Sequence, residues 1–148
     1  MAKVSAGVFT CDNNSIAFEV DGEYLVPAEL INFEITIDNT EETWVSYDSE
    51  GFENALITGK GYGANVTCKR VIGDPCQEFI MGKMFAKGQE AQGNIKVTLA
   101  NGLTITDKMN IKVTNIGAGG EGTAVAELQA ELTHASGKPV VEKEEATE

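Results

Sequence analysis

The sequence predicts a mainly β, antiparallel domain with one α-helix near its middle. Three observations predict it. Apolar and polar residues alternate through most of the chain, an Asn-Gly pair stands between two such runs, and only one segment carries helix-start signals. Period-two alternation buries one face of a strand and wets the other. Asn-Gly is the favoured two-residue hairpin turn.

Ile16, Phe18 and Val20 alternate with Ala17 and Glu19 in a first strand. Tyr24 to Pro27 reads as a short strand at a sheet edge, since Pro27 has no N–H to give a ladder. Ile31, Phe33, Ile35 and Ile37 then alternate with Asn32, Glu34 and Thr36. Over about residues 38–60 the alternation fails, which predicts a long acidic loop carrying Trp44, Tyr47 and Phe52. Loops of that length in compact domains are often functional. This one either folds back on its own sheet or is an arm that docks on another subunit, aromatic anchors being enriched in interfaces.

Tyr62, Ala64, Val66 and Cys68 mark the next strand. The helix is expected over about 74–87. Asp74 is its N-cap, Pro75 its first residue, Gln77 completes a pattern like a capping box, and Gly88 is the stop. Its apolar residues, Cys76, Phe79, Ile80, Met81, Met84 and Phe85, cover more than one narrow stripe. Such a helix is expected to pack on its own sheet with one side and meet a neighbour with the other, so Phe79, Met81, Met84 and Phe85 are candidate packing and interface residues. Gly82 weakens the helix and allows close approach of another backbone. Ile95, Val97 and Leu99 form one arm of a hairpin around a type I′ turn at Asn101-Gly102, and Leu103, Ile105, Met109, Ile111 and Val113 form the other. Asp107 falls on the apolar parity, which suggests a bulge or strand end. After the Gly-rich turn Gly117–Gly122 comes a last strand, in which Ala124, Ala126, Leu128, Ala130 and Leu132 alternate with Val125, Glu127, Gln129 and Glu131. Residues 1–140 read as one domain, and 141–148 as an acidic, disordered tail.

Charge and reactive residues narrow the function. Of 148 residues, 23 are acidic and 11 basic, a net charge of -12. Twelve acids lie between Asp12 and Glu53, where there is no Lys or Arg, so the remaining acids and bases balance. A surface of that sign repels nucleic acid rather than holding it; its plainer use is solubility. The three cysteines show no C-x-x-C spacing and are expected as reduced core thiols. His134 is the sole histidine and is expected at the surface near the end of the last strand. Neither a zinc site nor a Ser-His-Asp set can be assembled on it. Gly59-Lys60-Gly61-Tyr62-Gly63 lacks the P-loop spacing and precedes a strand, so its glycines, like those of Gly117–Gly122, are read as conformational. The first ten residues show no apolar export core, and no apolar run reaches a membrane span, so the expectation is folding in a cytoplasm without a membrane partner.

Two strings give these pieces a family likeness. One is Gly73-Asp74-Pro75-Cys76-Gln77-Glu78-Phe79-Ile80, at the helix start. The other is Val113-Thr114-Asn115-Ile116-Gly117-Ala118-Gly119-Gly120-Glu121-Gly122-Thr123-Ala124, before the last strand. With the stretch from Trp44 to Gly63, and in that order, the chain resembles the tail tube (major tail) proteins of tailed bacteriophages and phage-tail-like particles over roughly residues 15–140. The resemblance implies an antiparallel β-sandwich or partial barrel that is a structural subunit of the virion tail, not an enzyme, and needs no cofactor. It implies hexameric rings stacking into a hollow tube, assembled in the bacterial host cytoplasm. The partners it implies are further copies, the tail sheath, the tape measure, and tail-completion or baseplate proteins. DNA would pass through without specific binding. Joined edge strands remove exposed edges, and face-to-opposite-face stacking gives filaments. Under this reading Trp44, Tyr47 and Phe52 are inter-ring or inter-subunit contacts. Glu19, Glu34, Glu127 and Glu131, on the wet faces of strands, are candidate lumen-facing acids; otherwise they face outward and keep the particle soluble. The competing readings are a secreted or surface β-sandwich binding module, which would want a signal peptide and an aromatic platform, and a small enzyme.

Overall fold

Each alternating run forms a strand. The computed structural model describes residues 6–143 and contains β1 (Ser15–Val20), β2 (Glu23–Leu25), β3 (Leu30–Trp44), β4 (Asn54–Lys69), α1 (Pro75–Met81), β5 (Gln92–Thr98), β6 (Leu103–Ile116), β7 (Glu127–His134) and β8 (Val140–Lys143). The strands make one antiparallel sheet in the order β2-β1-β5-β6-β7-β4-β3. The long β6 pairs along one edge with β5; along the other it takes β8 at Leu103–Thr106 and β7 at Met109–Ile116.

Inward residues from both ends of the sheet join one core. Ile16 and Phe18 of β1, Val66 and Cys68 of β4, Ile95 and Val97 of β5, Met109 and Ile111 of β6, and Leu128 and Leu132 of β7 are all buried together. The sheet is therefore curled over its core as a partial barrel, and α1 closes the inner face with Cys76 and Ile80. Phe79 lies over Gly93, where an added Cβ would stand at ordinary contact distance, 3.5 Å, from the Phe79 ring and a tight 3.1 Å from the Ile111 side chain. The seam between the two sheet ends stays open as a cleft of about 590 Å³, lined by Cys11, Asn14, Val26, Ile31, Phe33 and Leu99 among others.

Several expectations are corrected. The loop over 38–60 is mostly strand: β3 and β4 continue as a two-stranded ribbon to Trp44 and Asn54, and only 45–53 is loop, with one 3-10 turn at Tyr47–Ser49. The ribbon is wet on both faces, so it leaves no alternation to read. The helix is seven residues long instead of reaching 87. Asp74 caps it as expected, its carboxylate accepting from Gln77 N at 3.1 Å. Beyond Gly82, whose backbone disfavours helix, Lys83 and Met84 bond to carbonyls three residues back, a tighter turn that soon ends. Gly88 instead opens a 3-10 turn.

Gln77 completes no capping box. Its buried amide donates to Ala28 O (2.9 Å) and Lys69 O (2.8 Å) and accepts from Val71 N (2.7 Å), tying α1 to the chain on either side of the β3–β4 pair. The Asn101-Gly102 hairpin exists, but only Gly102 is left-handed and the connection runs Leu99–Gly102. The two-residue turn with both positions left-handed is Asp21-Gly22, between β1 and β2. Asp107 makes no bulge and stays buried in β6. The strand expected from Ala124 is β7, which begins at Glu127, and it is not the last, since β8 follows it. Residues 141–143 of the expected tail belong to β8; 144–148 lie outside the described residues. Gly59, Gly61 and Gly63 sit in β4 without left-handed backbone, whereas Gly117, Gly119 and Gly120 are left-handed.

Candidate assembly surface

Beyond the Thr36–Gly63 pair, β3 and β4 have only each other as neighbours among the described residues, because β7 covers β4 only from Gly63 to Lys69. The eight residues Ile37–Trp44 carry this ribbon about 27 Å from the body at roughly 3.4 Å per residue. Its side chains are mismatched with water. Trp44 (46% exposed), Tyr47 (108%) and Phe52 (76%) gather at the tip, and Ile37, Leu56 and Ile57 are exposed along the ribbon. The sequence predicts Ile37 on the apolar side of an alternating strand, and Leu56 and Ile57 fall in the segment expected to be loop. The same ribbon carries Asp38, Glu41, Glu42, Asp48, Glu50 and Glu53 against the single base Lys60, which bonds across the strands to Asn39. The tip is locally built: the Ser46 and Ser49 side chains close a capping box, and the Ser46 hydroxyl donates to Asp48 at 2.6 Å, holding its carboxyl below the usual range. Among the described residues the outer edge of β3 is unpaired along its length, and an unpaired edge is a template for another strand.

The helix residues divide. Phe79 and Met81 pack against the core, Phe79 also lying 5.1 Å from the Lys83 ammonium, and Met84 is half-buried. Phe85 stands 90% exposed, as does Ile72 just before the helix at 88%.

The four candidate acids share the outer face of the sheet, opposite the core. Glu34, Asn65, Glu131 and Lys112 follow one another in register across β3, β4, β7 and β6. Glu127 is paired with Lys69 at 2.8 Å, which lowers its carboxyl from the ordinary value, and Glu131 stands 3.9 Å from Lys112. Glu19 accepts from Asn94 at 3.3 Å and helps burial raise the Tyr24 hydroxyl. Glu34 is exposed. Lysines 69, 96, 108 and 112 occupy the same face by strand parity, a feature the sequence reading passed over. Among the described residues no cluster of His, Cys, Asp and Glu could hold a metal ion.

The remaining reactive groups are mostly inside. Burial pushes the Cys68 thiol up to about 11 and the Cys76 thiol to about 12, as unreactive core groups; Cys11, against expectation, is exposed. His134 is at the end of β7 as expected, but half-buried, with Nδ1 2.5 Å from the buried Asp107 carboxylate and Nε2 2.6 Å from Gly137 O. The Tyr62 hydroxyl is buried without a hydrogen-bond partner among the described residues, and burial and the Asp107 charge raise it to about 12.

No family model and no curated protein matches the sequence. Solved structures do match the fold. A chain in the tail of an empty GTA particle, computed with helical refinement in C6 symmetry, gives a TM-score of 0.70 at 12% identity, covering 93% of this chain and 100% of that one. A chain in the virion of the native gene transfer agent particle gives 0.71 at 14% identity, covering 91% and 99%. A chain in the PVC sheath/tube terminator of an extracellular contractile injection system gives 0.54 at 11% identity, covering 94% and 99%. At these identities the likeness is one of fold, and the fold is the one found in phage-tail-like tube assemblies.

Proposed function

We propose that this chain is the repeating structural subunit of a phage-tail-like tube, without enzymatic activity. Copies join into a hexameric ring, rings stack, and DNA passes along the channel. The observation that carries the reading is the ribbon. An isolated two-stranded hairpin is marginal in water, and this one exposes Trp44, Tyr47, Phe52, Leu56 and Ile57 at its outer end. A neighbouring subunit supplies the cover those residues lack. The unpaired β3 edge supports lateral joining of sheets, and the fold likeness to tail chains supports the setting. The exposed Phe85 and Ile72 form a second contact, to a neighbour or a sheath. Tape measure, completion and baseplate proteins meet the ends of the tube, and assembly takes place in the host cytoplasm before the subunit rests in the virion tail.

The outer face of the sheet lines the channel in this reading. Glu127 and Glu131 stand near lysines, so Glu34 and Glu19 are the acids left to repel phosphate. Negative-stain microscopy of the purified protein tests the whole: hollow tubes or six-fold rings support it, and a protein that stays monomeric at all concentrations and salts overturns it. In assembled particles Glu34→Lys should slow DNA ejection most at low salt, where screening is weak; unchanged ejection removes Glu34 from the lumen.

A further inference from the structure

We propose that Asp107 and His134 form a proton-held clasp that fastens the terminal strand β8 to the sheet, and that β8 comes free when the shared proton leaves. Asp107 faces the core from β6, opposite Ile95, with its side chain 2% exposed. An ionised carboxylate there needs a partner, since an unpaired buried charge is strongly unfavourable. His134 Nδ1 is that partner at 2.5 Å. The other ring nitrogen, Nε2, lies 2.6 Å from Gly137 O. A carbonyl only accepts, so Nε2 carries a hydrogen. The Nδ1–carboxylate contact needs a second proton between its two atoms. With both in place, the ring ties β6, β7 and the link to β8 together.

β8 depends on that link. It is four residues long, exposed throughout, and paired only along Leu103–Thr106 of β6. Thr104 Oγ1 adds a 3.3 Å bond to Glu142 O, and Ala135 N bonds Lys108 O where the link begins. Beyond that point the Nε2 bond to Gly137 fixes the turn. Removing the proton from Nδ1 sets a nitrogen lone pair against the buried carboxylate, and the ring must swing away or the strands must part. The Asp107 bond raises the His134 pKa from its ordinary value. Because the folded value exceeds the unfolded one, this stability is complete below the unfolded pKa and is lost as pH rises through the folded one. The clasp is therefore closed on the acid side and opens on the alkaline side. Tyr62 of β4 is the other titratable group near Asp107, and stays neutral until about 12. Lys96 of β5, Lys108 of β6, Glu131 of β7 and Glu142 of β8 lie on the outer face by parity; Lys138 in the link and Lys143 are exposed. On α1, Glu78 is turned to Arg70 at 2.8 Å. Release of β8 uncovers a four-residue edge on β6 that can accept another strand.

Hydrogen exchange on the full chain, corrected for intrinsic rates and stepped from about pH 6 to about pH 10 alongside NMR titration of the His134 ring, tests this. Protection of residues 140–143 should fall by about tenfold or more as the ring titrates, while β1 and β4 keep theirs. His134→Ala should show low protection at every pH. Asp107→Asn should hold β8 at every pH, because an amide N–H can donate to the neutral Nδ1. Should either variant fail to fold, the wild-type curve decides: protection of 140–143 that stays level while the ring titrates overturns the clasp.

Discussion

Two buried polar side chains, treated in opposite ways, show how this core tolerates polarity. Gln77 places every polar atom it has: its removal would strand the Val71 N–H and the Ala28 and Lys69 carbonyls. Gln77→Ala should cost about 3 kcal/mol, since groups left buried without partners cost about 1–3 kcal/mol each and the site relaxes in part. Urea unfolding measures it; a loss below about 1 kcal/mol would mean that water replaces the amide freely. Tyr62 is the reverse case, its hydroxyl buried without a hydrogen-bond partner among the described residues. Tyr62→Phe removes a desolvated group and keeps the ring, so it should be neutral or stabilising by up to about 1 kcal/mol. A clear loss in thermal unfolding would reveal a bond to that hydroxyl.

Among the elements, the ribbon and α1 differ in what supports them. At seven residues α1 is too short to stand on propensity, and it is held by its cap, its Gln77 bonds and the burial of Cys76 and Ile80. The ribbon has no such support beyond Thr36 and Gly63. Replacing residues 39–60 by Asn-Gly would join the Asp38–Gly61 pair through a two-residue turn. This variant should unfold within a few degrees of the parent, because it removes no core residue, and it should form no tubes. Trp44→Ala is the milder version: an intact fold with weakened polymerisation. Calorimetry and microscopy read the two effects separately, and a ribbonless chain that still polymerises would place the contacts elsewhere.

For the whole molecule, the net charge of -12 opposes the association of copies. The opposition is concentrated in the ribbon, whose acids must approach another equally acidic subunit. Raising ionic strength from about 0.1 M to about 1 M shortens the screening length from about 10 Å to about 3 Å. Assembly followed by light scattering should therefore speed up with salt. Assembly that slows with salt would mean that ion pairs between subunits, not apolar cover, hold the tube.

The sequence by itself determined the strands whose one face is buried, because alternation is the direct imprint of a half-buried sheet: Ile16–Phe18, Phe33–Ile35, Ala64–Cys68, Ile95–Val97 and Leu128–Leu132 all read correctly. It also determined the helix start, since Asp74 and Pro75 act within one turn of themselves. It placed Trp44, Tyr47 and Phe52 in one connecting segment, but left open whether that segment folds back or projects. What only the tertiary structure decided depends on partners distant in the chain. The ribbon over about 38–60 has two wet faces, so strand and loop look alike in its residues. Asp107 looked like a break because its partner His134 is 27 residues away. Gln77 looked like a cap because Ala28 is 49 residues away. The lysines facing Glu127 and Glu131 become their neighbours only through the register of β4, β7 and β6, which no local pattern encodes.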